Sequence, residues 1–227
     1  MIIAVTGLAR EARIVAGTGV TAICCGGRSA LLRESLERAT TKQTAGIISI
    51  GIAGGLAPSL KSGDCVIGYE IVSDGRHIAT DASWTGRLAA RLPAALVVPI
   101  ASSEGIVLGR TSKAELFRAT GAYAVDMESH VAARFAGEHR IPFAALRAIA
   151  DPAGSELPPL VLEAVTPTGT VNFLGVLKAV LSDPRQIPAL IRTARESDAG
   201  FDALLRCCNI LGPGLAGPDG GELALDM

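Results

Sequence analysis

The chain has 227 residues, 49% of them hydrophobic, with 21 basic and 22 acidic side chains for a net charge of −1. That length supports one large α/β domain with a substantial core, or at most two small ones. Balanced charge, no basic run and an aromatic content of 4% exclude a surface for nucleic acid, which needs phosphate-binding cations and stacking platforms.

Residues 2–6, IIAVT, read as an apolar strand ending at Gly7. No basic stretch precedes it, so a signal peptide is not expected and the protein is read as cytoplasmic. Residues 20–24 make a second strand. It runs into Cys25-Gly26-Gly27-Arg28-Ser29, a glycine turn before a helix over about 29–42 with Leu32, Leu36 and Ala39 on one face. Strand, glycine turn and helix present backbone N–H groups to an anion, and they equally make a plain tight turn. The cysteines fall in two adjacent pairs, Cys24–Cys25 and Cys207–Cys208, plus Cys65. None has the CxxC spacing of a zinc or redox site, so reduced thiols are expected.

Residues 47–55, IISIGIAGG, form a β-branched strand in which Gly51, Gly54 and Gly55 leave room for close approach of a ligand. The spacing is not that of a dinucleotide fingerprint. Residues 63–75 read as a strand pair or one long bent strand, 82–91 as a short helix, 96–100 and 105–108 as strands, and 111–120 as a helix capped by Thr111.

Residues 124–151, AVDMESHVAARFAGEHRIPFAALRAIAD, hold two carboxylates at element edges. Met127, Val131 and Phe135 recur at helical spacing, and Pro142 ends the helix. Residues 143–150 are a buried strand, so Asp151 falls just past its C-terminal end, the edge where open α/β sheets bind ligands. An Asp–Pro turn, and a Glu128 that merely complements a helix dipole, account for the same residues. Beyond Asp151 the chain turns proline-rich, and 152–170 is expected to be a loop. Helices follow over 171–181 and about 186–209, the second with Ile187, Leu190, Ile191, Ala194, Phe201, Leu204 and Leu205 as its apolar stripe. Residues 210–227 are expected to be a disordered tail after a single domain over 1–209. Strands alternating with helices predict a single-domain three-layer α/β/α sandwich around a central mixed sheet.

Four segments, IGIAGGL at 50–56, LKSGDCVIG at 60–68, VDMES at 125–129 and RAIAD at 147–151, resemble the superfamily of purine nucleoside phosphorylases and methylthioadenosine/adenosylhomocysteine nucleosidases. The likeness spans about residues 1–151. GLAREAR, VDMESHVAARFA and IPFAALRAIADPA with the LPP beyond are most similar to hopanoid-associated phosphorylases, which are taken to remove adenine from adenosylhopane. The resemblance implies a nucleoside phosphorylase-like fold and cleavage of an N-glycosidic bond in a 5′-substituted adenosine. It implies Asp151 as the acid that protonates the leaving purine, Glu128 as acceptor of the ribose hydroxyls, and Met127 beneath the sugar. It also implies that the Ile52–Ala53–Gly54 backbone lines the pocket. Arg147 either orients a carboxylate or is a structural ion-pair partner. Glu11 matches the residue that holds the attacking water, although it lies four residues after Gly7; the alternative is a surface Glu in a first helical turn.

Two departures leave water and phosphate open as the attacking group. Ile52 stands where the family carries a hydroxyl residue. At 109–112 the chain has GRTS, where Arg110 either binds an anion or is solvated. No cofactor and no metal are expected, since His77, His130 and His139 lack a partner at ligand spacing, while phosphate stays open as a co-substrate. The expected ligand is a small nucleoside with an apolar 5′ group. A homodimer or higher homo-oligomer is expected. Leu157, Leu160, Val161 and Leu162, with Phe173, Leu174, Val176 and Leu177, either pack against the protein core or form an apolar channel or lip that makes peripheral membrane contact. The other readings are a non-catalytic nucleoside-binding protein, a methylthioadenosine/adenosylhomocysteine-type nucleosidase and, most weakly, an NAD-dependent enzyme.

Overall fold

A computed structural model describes residues 1–156 and 187–218. Among them, eight strands form one mixed sheet. The strands are β1 (Ile2–Thr6), β2 (Thr21–Cys24), β3 (Gly46–Gly55), β4 (Cys65–Ser73), β5 (Arg76–Ala79), β6 (Leu96–Ser102), β7 (Ala124–Asp126) and β8 (Phe143–Asp151). The helices are α1 (Ala9–Ala16), α2 (Ser29–Ala39), α3 (Ala82–Arg91), α4 (Arg110–Thr120), α5 (Ser129–His139) and α6 (Ile187–Leu211). The sheet order is β2-β1-β3-β7-β6-β4-β5, and β8 bridges β3 and β4. Pairing therefore closes a ring: β3 to β8, β8 to β4, β4 to β6, β6 to β7, and β7 back to the end of β3. Closure removes edges along these strands and brings the C-terminal ends of β1, β3, β7 and β8 together.

Period-two alternation decides the layers. In β1, Ile3 and Val5 join α2 and α5 in one core, with Leu32, Leu36 and Phe135. Ile2 and Ala4 face the other core, with Val15 of α1, Trp84 and Leu88 of α3, and Leu204 and Leu211 of α6. The expected α/β/α sandwich with a mixed sheet is what the chain forms. Of the two readings of 63–75, one long strand holds: β4 runs over Cys65–Ser73 with a register irregularity between Gly68 and Glu70, and its hairpin partner β5 follows an Asp74–Gly75 turn with φ of 51° and 69°, the Asp-Gly turn that suits the strand twist.

Several expectations give way. Residues 105–108 are not a strand; they run without regular structure between β6 and α4, because β6 continues to Ser102 and its pairing ends there. Thr111 is not a cap: α4 starts at Arg110 behind Gly109. The helix expected to begin near Ala124 starts at Ser129, because Ala124–Asp126 pairs with Ile100–Ser102 as β7. In α6, Ile191 and Leu205 are exposed; its buried face carries Phe201, Leu204, Cys207, Cys208 and Leu211. Order continues past 209. The 3₁₀ turn Pro213–Ala216 packs against α3, and its Leu215 carbonyl accepts the Trp84 indole N–H at 3.0 Å. The expected loop beyond Glu156, the helix at 171–181 and the tail from 219 lie outside the described residues.

Candidate active site

Glu11 is held by the turn that carries it. Gly7 follows β1, and Glu11 lies in the first turn of α1 with only 2% of its surface exposed. Its Oε2 accepts the N–H of Gly7 at 2.8 Å and of Leu8 at 2.7 Å. Its Oε1 accepts the Ile52 N–H at 2.7 Å, tying α1 to β3. A Cβ at Gly51 would stand 2.5 Å from that oxygen, so any larger residue there would displace the carboxylate from these bonds. Three bonds leave about one of the carboxylate's four acceptor positions unused. Burial pushes the Glu11 carboxyl up, and these N–H groups together with Arg147 oppose it. The alternative of a surface Glu is excluded.

Glu128 stands just before α5, buried, with its carboxylate against Gly7; a Cβ at Gly7 would lie 2.6 Å from Oε1. Burial pushes its carboxyl up to about 8, with Asp126 and Glu11 adding to the effect and Arg147 opposing it. Arg147 lies on β8, wholly buried. Its Nε donates to Asp126 Oδ2 at 2.7 Å, one terminal nitrogen donates to Ser49 at 2.5 Å and Ser129 at 3.2 Å, and Glu128 is 3.8 Å away. Arg147 is thus first the partner of Asp126, and it borders Glu128 from behind. Asp126 also accepts from Ser102 Oγ at 2.6 Å and from Ser129 Oγ. His130 completes the cluster, its Nδ1 2.9 Å from Ser102 Oγ. Burial would push the Asp126 carboxyl up, but Arg147, the two hydroxyls and the Ser129 N–H at 3.0 Å hold it low. Buried charge survives because it is paired and fully hydrogen-bonded.

Asp151 ends β8. A register irregularity between Ala53 and Gly54 sets Gly54 opposite it, a β-bulge of the kind that re-aims a side chain near a site. Lys113 of α4, itself fully buried, donates to Asp151 Oδ2 at 2.6 Å. Burial pushes the Asp151 carboxyl up, and Lys113 opposes this.

A cavity of about 340 Å³ joins these groups. Glu11, Ile52, Ala53, Gly54, Met127, Glu128 and Asp151 all line it, and Gly105–Val107 close one side. Arg147 does not line it. Arg110 is exposed and off the cavity. A larger groove of about 580 Å³ between α1 and the end of α6 is lined by no acid, so the chemistry is not there. No cluster among the described residues has the ligands for a metal ion, and no helix among them is long and apolar enough to cross a membrane. Asp126 and Lys113 were not singled out from the sequence. The signal for Lys113 is its place on the same helical face as Leu116, Phe117 and Thr120, a cation on an apolar stripe.

An α/β protein with an acid-lined cavity at the carboxyl ends of its strands is a small-ligand binder or enzyme by architecture. The fold is similar to futalosine hydrolase of Helicobacter pylori strain 26695, with TM-score 0.68 and 15% identity over 92% of this chain and 96% of that one. It is similar to the 5′-methylthioadenosine/S-adenosylhomocysteine nucleosidase of the same species, with TM-score 0.65 and 17% identity over 91% and 94%. The S-adenosylhomocysteine nucleosidase of Streptococcus pyogenes, in complex with 5-methylthiotubericidin, gives 0.59 and 20% over 67% and 84%. A search of curated protein sequences returned no match. A family model for the phosphorylase superfamily matches residues 4–182, and the chain belongs to that family.

Proposed function

We propose that the protein is an enzyme that cleaves the N-glycosidic bond of a 5′-substituted adenosine with water, releasing adenine. The observation that carries this reading is the convergence of Glu11, Glu128 and Asp151 on one cavity. Asp151, whose carboxyl burial pushes up, delivers its proton to N7 as the bond from C1′ to N9 breaks. General acid catalysis of this kind contributes typically 10²–10⁴ in rate. Glu128 accepts the ribose hydroxyl protons, with Arg147 behind it and Met127 beneath the sugar. The Ile52–Ala53–Gly54 backbone borders the ribose. A water on the unused acceptor position of Glu11 attacks C1′ and gives its proton to that carboxylate. The sugar gains a hydroxyl, the purine gains a proton, and solvent returns a proton from Glu11 to Asp151.

Water is favoured over phosphate by the partners of Glu11. The N–H groups of Gly7, Leu8 and Ile52 form the kind of backbone nest that binds anions, and the protein's own carboxylate fills it. A phosphate there would displace that carboxylate or sit beside it and Glu128. No metal or other cofactor enters the reading.

The resemblance to hopanoid-associated phosphorylases supports adenosylhopane as substrate, and Ile106 and Val107 on the cavity wall suit a hydrocarbon group. A methylthioadenosine-type substrate is the second reading, favoured by a cavity of about 340 Å³, at the small end for ligand sites. The reading assumes a cytoplasmic homodimer or higher homo-oligomer with peripheral membrane contact. Adenine release from adenosines carrying long or polycyclic hydrocarbon 5′ groups, against methylthioadenosine, tests the substrate. Preference for the hydrocarbon substrates in kcat/KM is expected. Preference for methylthioadenosine selects the second reading, and release from none overturns both.

A further inference from the structure

Lys113 is wholly buried on a helix whose remaining polar residues face solvent or its margin. Its ammonium meets Asp151 Oδ2 at 2.6 Å and the carbonyls of Asp151, Pro152 and Ser155 at 3.1, 3.0 and 3.3 Å. An ammonium has three protons to give and a neutral amine two, so four acceptors around one nitrogen form a cage for the charged form. All four come from the end of β8 and the turn after it. The other charged group acting on Asp151 is Glu196 of α6, tied to the same turn by Ser155 Oγ at 2.7 Å. On the β3 side Gly54 leaves the carboxyl its room: a Cβ there would stand 3.3 Å from Asp151 Oδ1.

We propose that Lys113 is a positioning residue for the cleavage, setting the acid strength of Asp151 and stabilising the carboxylate left when that acid protonates the leaving base. The proposal rests on the nucleosidase reading. Its logic is differential. Before proton transfer, a cation faces a neutral acid. After transfer, the same cation, itself fully buried, faces an anion 2.6 Å away. That interaction is stronger in the transition state than in the ground state, which is the condition for raising kcat. The cost is that the same cation reduces the fraction of Asp151 in its acid form at neutral pH. The cage also fixes the turn that aims the carboxyl.

The test compares Lys113→Met, which keeps length and removes charge, with Lys113→Arg, which keeps charge. The Asp151 carboxyl is followed by carbon-13 NMR, its signal assigned by its loss in Asp151→Asn. Removing an opposite charge at this distance moves a carboxyl titration upward by about one to three pH units. That shift is expected in Lys113→Met, with less than half of it in Lys113→Arg. The alkaline limb of kcat/KM for adenine release moves with it, and the plateau kcat falls at least tenfold. A folded Lys113→Met whose Asp151 titrates as in the wild type overturns the proposal, whatever its activity. If Lys113→Met does not fold, the Lys113→Met/Asp151→Asn double variant decides. Recovery of the folded protein supports the pairing, and continued failure to fold makes Lys113 structural and overturns it. A shift as expected in a protein that releases no adenine leaves the coupling intact and removes the nucleosidase reading instead.

Discussion

Replacing Glu128 by Gln tests both the electrostatics and the chemistry of the site. The folded carboxyl sits at about 8, against an ordinary value near 4.3. At about 1.4 kcal/mol per pH unit, its charged form carries a penalty of about 5 kcal/mol. That penalty is what remains after the opposing pull of Arg147 at 3.8 Å, a cation that Asp126 already shares; burial wins. The sign follows. A raised carboxyl adds stability that is fully present below the ordinary carboxylate range and is lost as pH rises through about 8. Glutamine has the shape of the protonated acid and does not titrate. Urea unfolding at pH 5 and pH 9 should therefore give similar stabilities at the lower pH. At the higher pH the variant should gain a few kcal/mol, bounded by about 5. Above about pH 8, where the carboxyl is charged, the same substitution removes charge-assisted bonds to the ribose hydroxyls, each contributing about 1.5–3 kcal/mol. The preference for ribosides over 2′-deoxyribosides should fall about ten- to hundredfold. Identical pH dependence in the two proteins would refute the burial argument, and an unchanged riboside preference would refute the ribose assignment.

Asp151→Asn keeps the shape of the acid but has no proton to deliver, so kcat for adenine release should fall at least a hundredfold while substrate binding stays within about tenfold. Steady-state kinetics with equilibrium binding checks it, and retention of more than about a tenth of kcat removes Asp151 from the mechanism. Glu11→Gln turns an amide N–H₂ toward the N–H groups of Gly7 and Leu8 or of Ile52. It should cost about 1–3 kcal/mol of stability per donor left unpaired and lower kcat at least a hundredfold with no rescue by phosphate. A variant made faster by phosphate would mean that the vacated nest accepts the anion.

Much of the frame was legible because burial writes itself into composition. Strands β1, β3 and β8 are apolar on both faces and read as continuous runs, and Asp151 could be placed at a strand end for that reason. Strand β7 was not legible. Three residues cannot show a period, and the helical spacing of Met127, Val131 and Phe135 begins directly after it. GIVL at 105–108 has strand composition without a strand neighbour; its apolar residues serve the cavity wall instead. The four-residue offset of Glu11 from Gly7 looked short, yet one helical turn lets the carboxylate reach back to the Gly7 and Leu8 N–H groups. Arg147 read equally well as a ligand or as a structural partner, because its ion pair with Asp126 joins residues 21 positions apart. Lys113 was hidden for the same reason: its partner lies 38 residues away.

The central claim is that water, not phosphate, receives the ribosyl group at the Glu11–Glu128–Asp151 site. Turnover of a 5′-substituted adenosine in oxygen-18 water, with and without inorganic phosphate, measures it directly by mass spectrometry of the sugar. Free sugar bearing one oxygen-18 at C1′ is expected, formed at the same rate in both conditions. Release that requires phosphate and yields an unlabelled sugar 1-phosphate would contradict it.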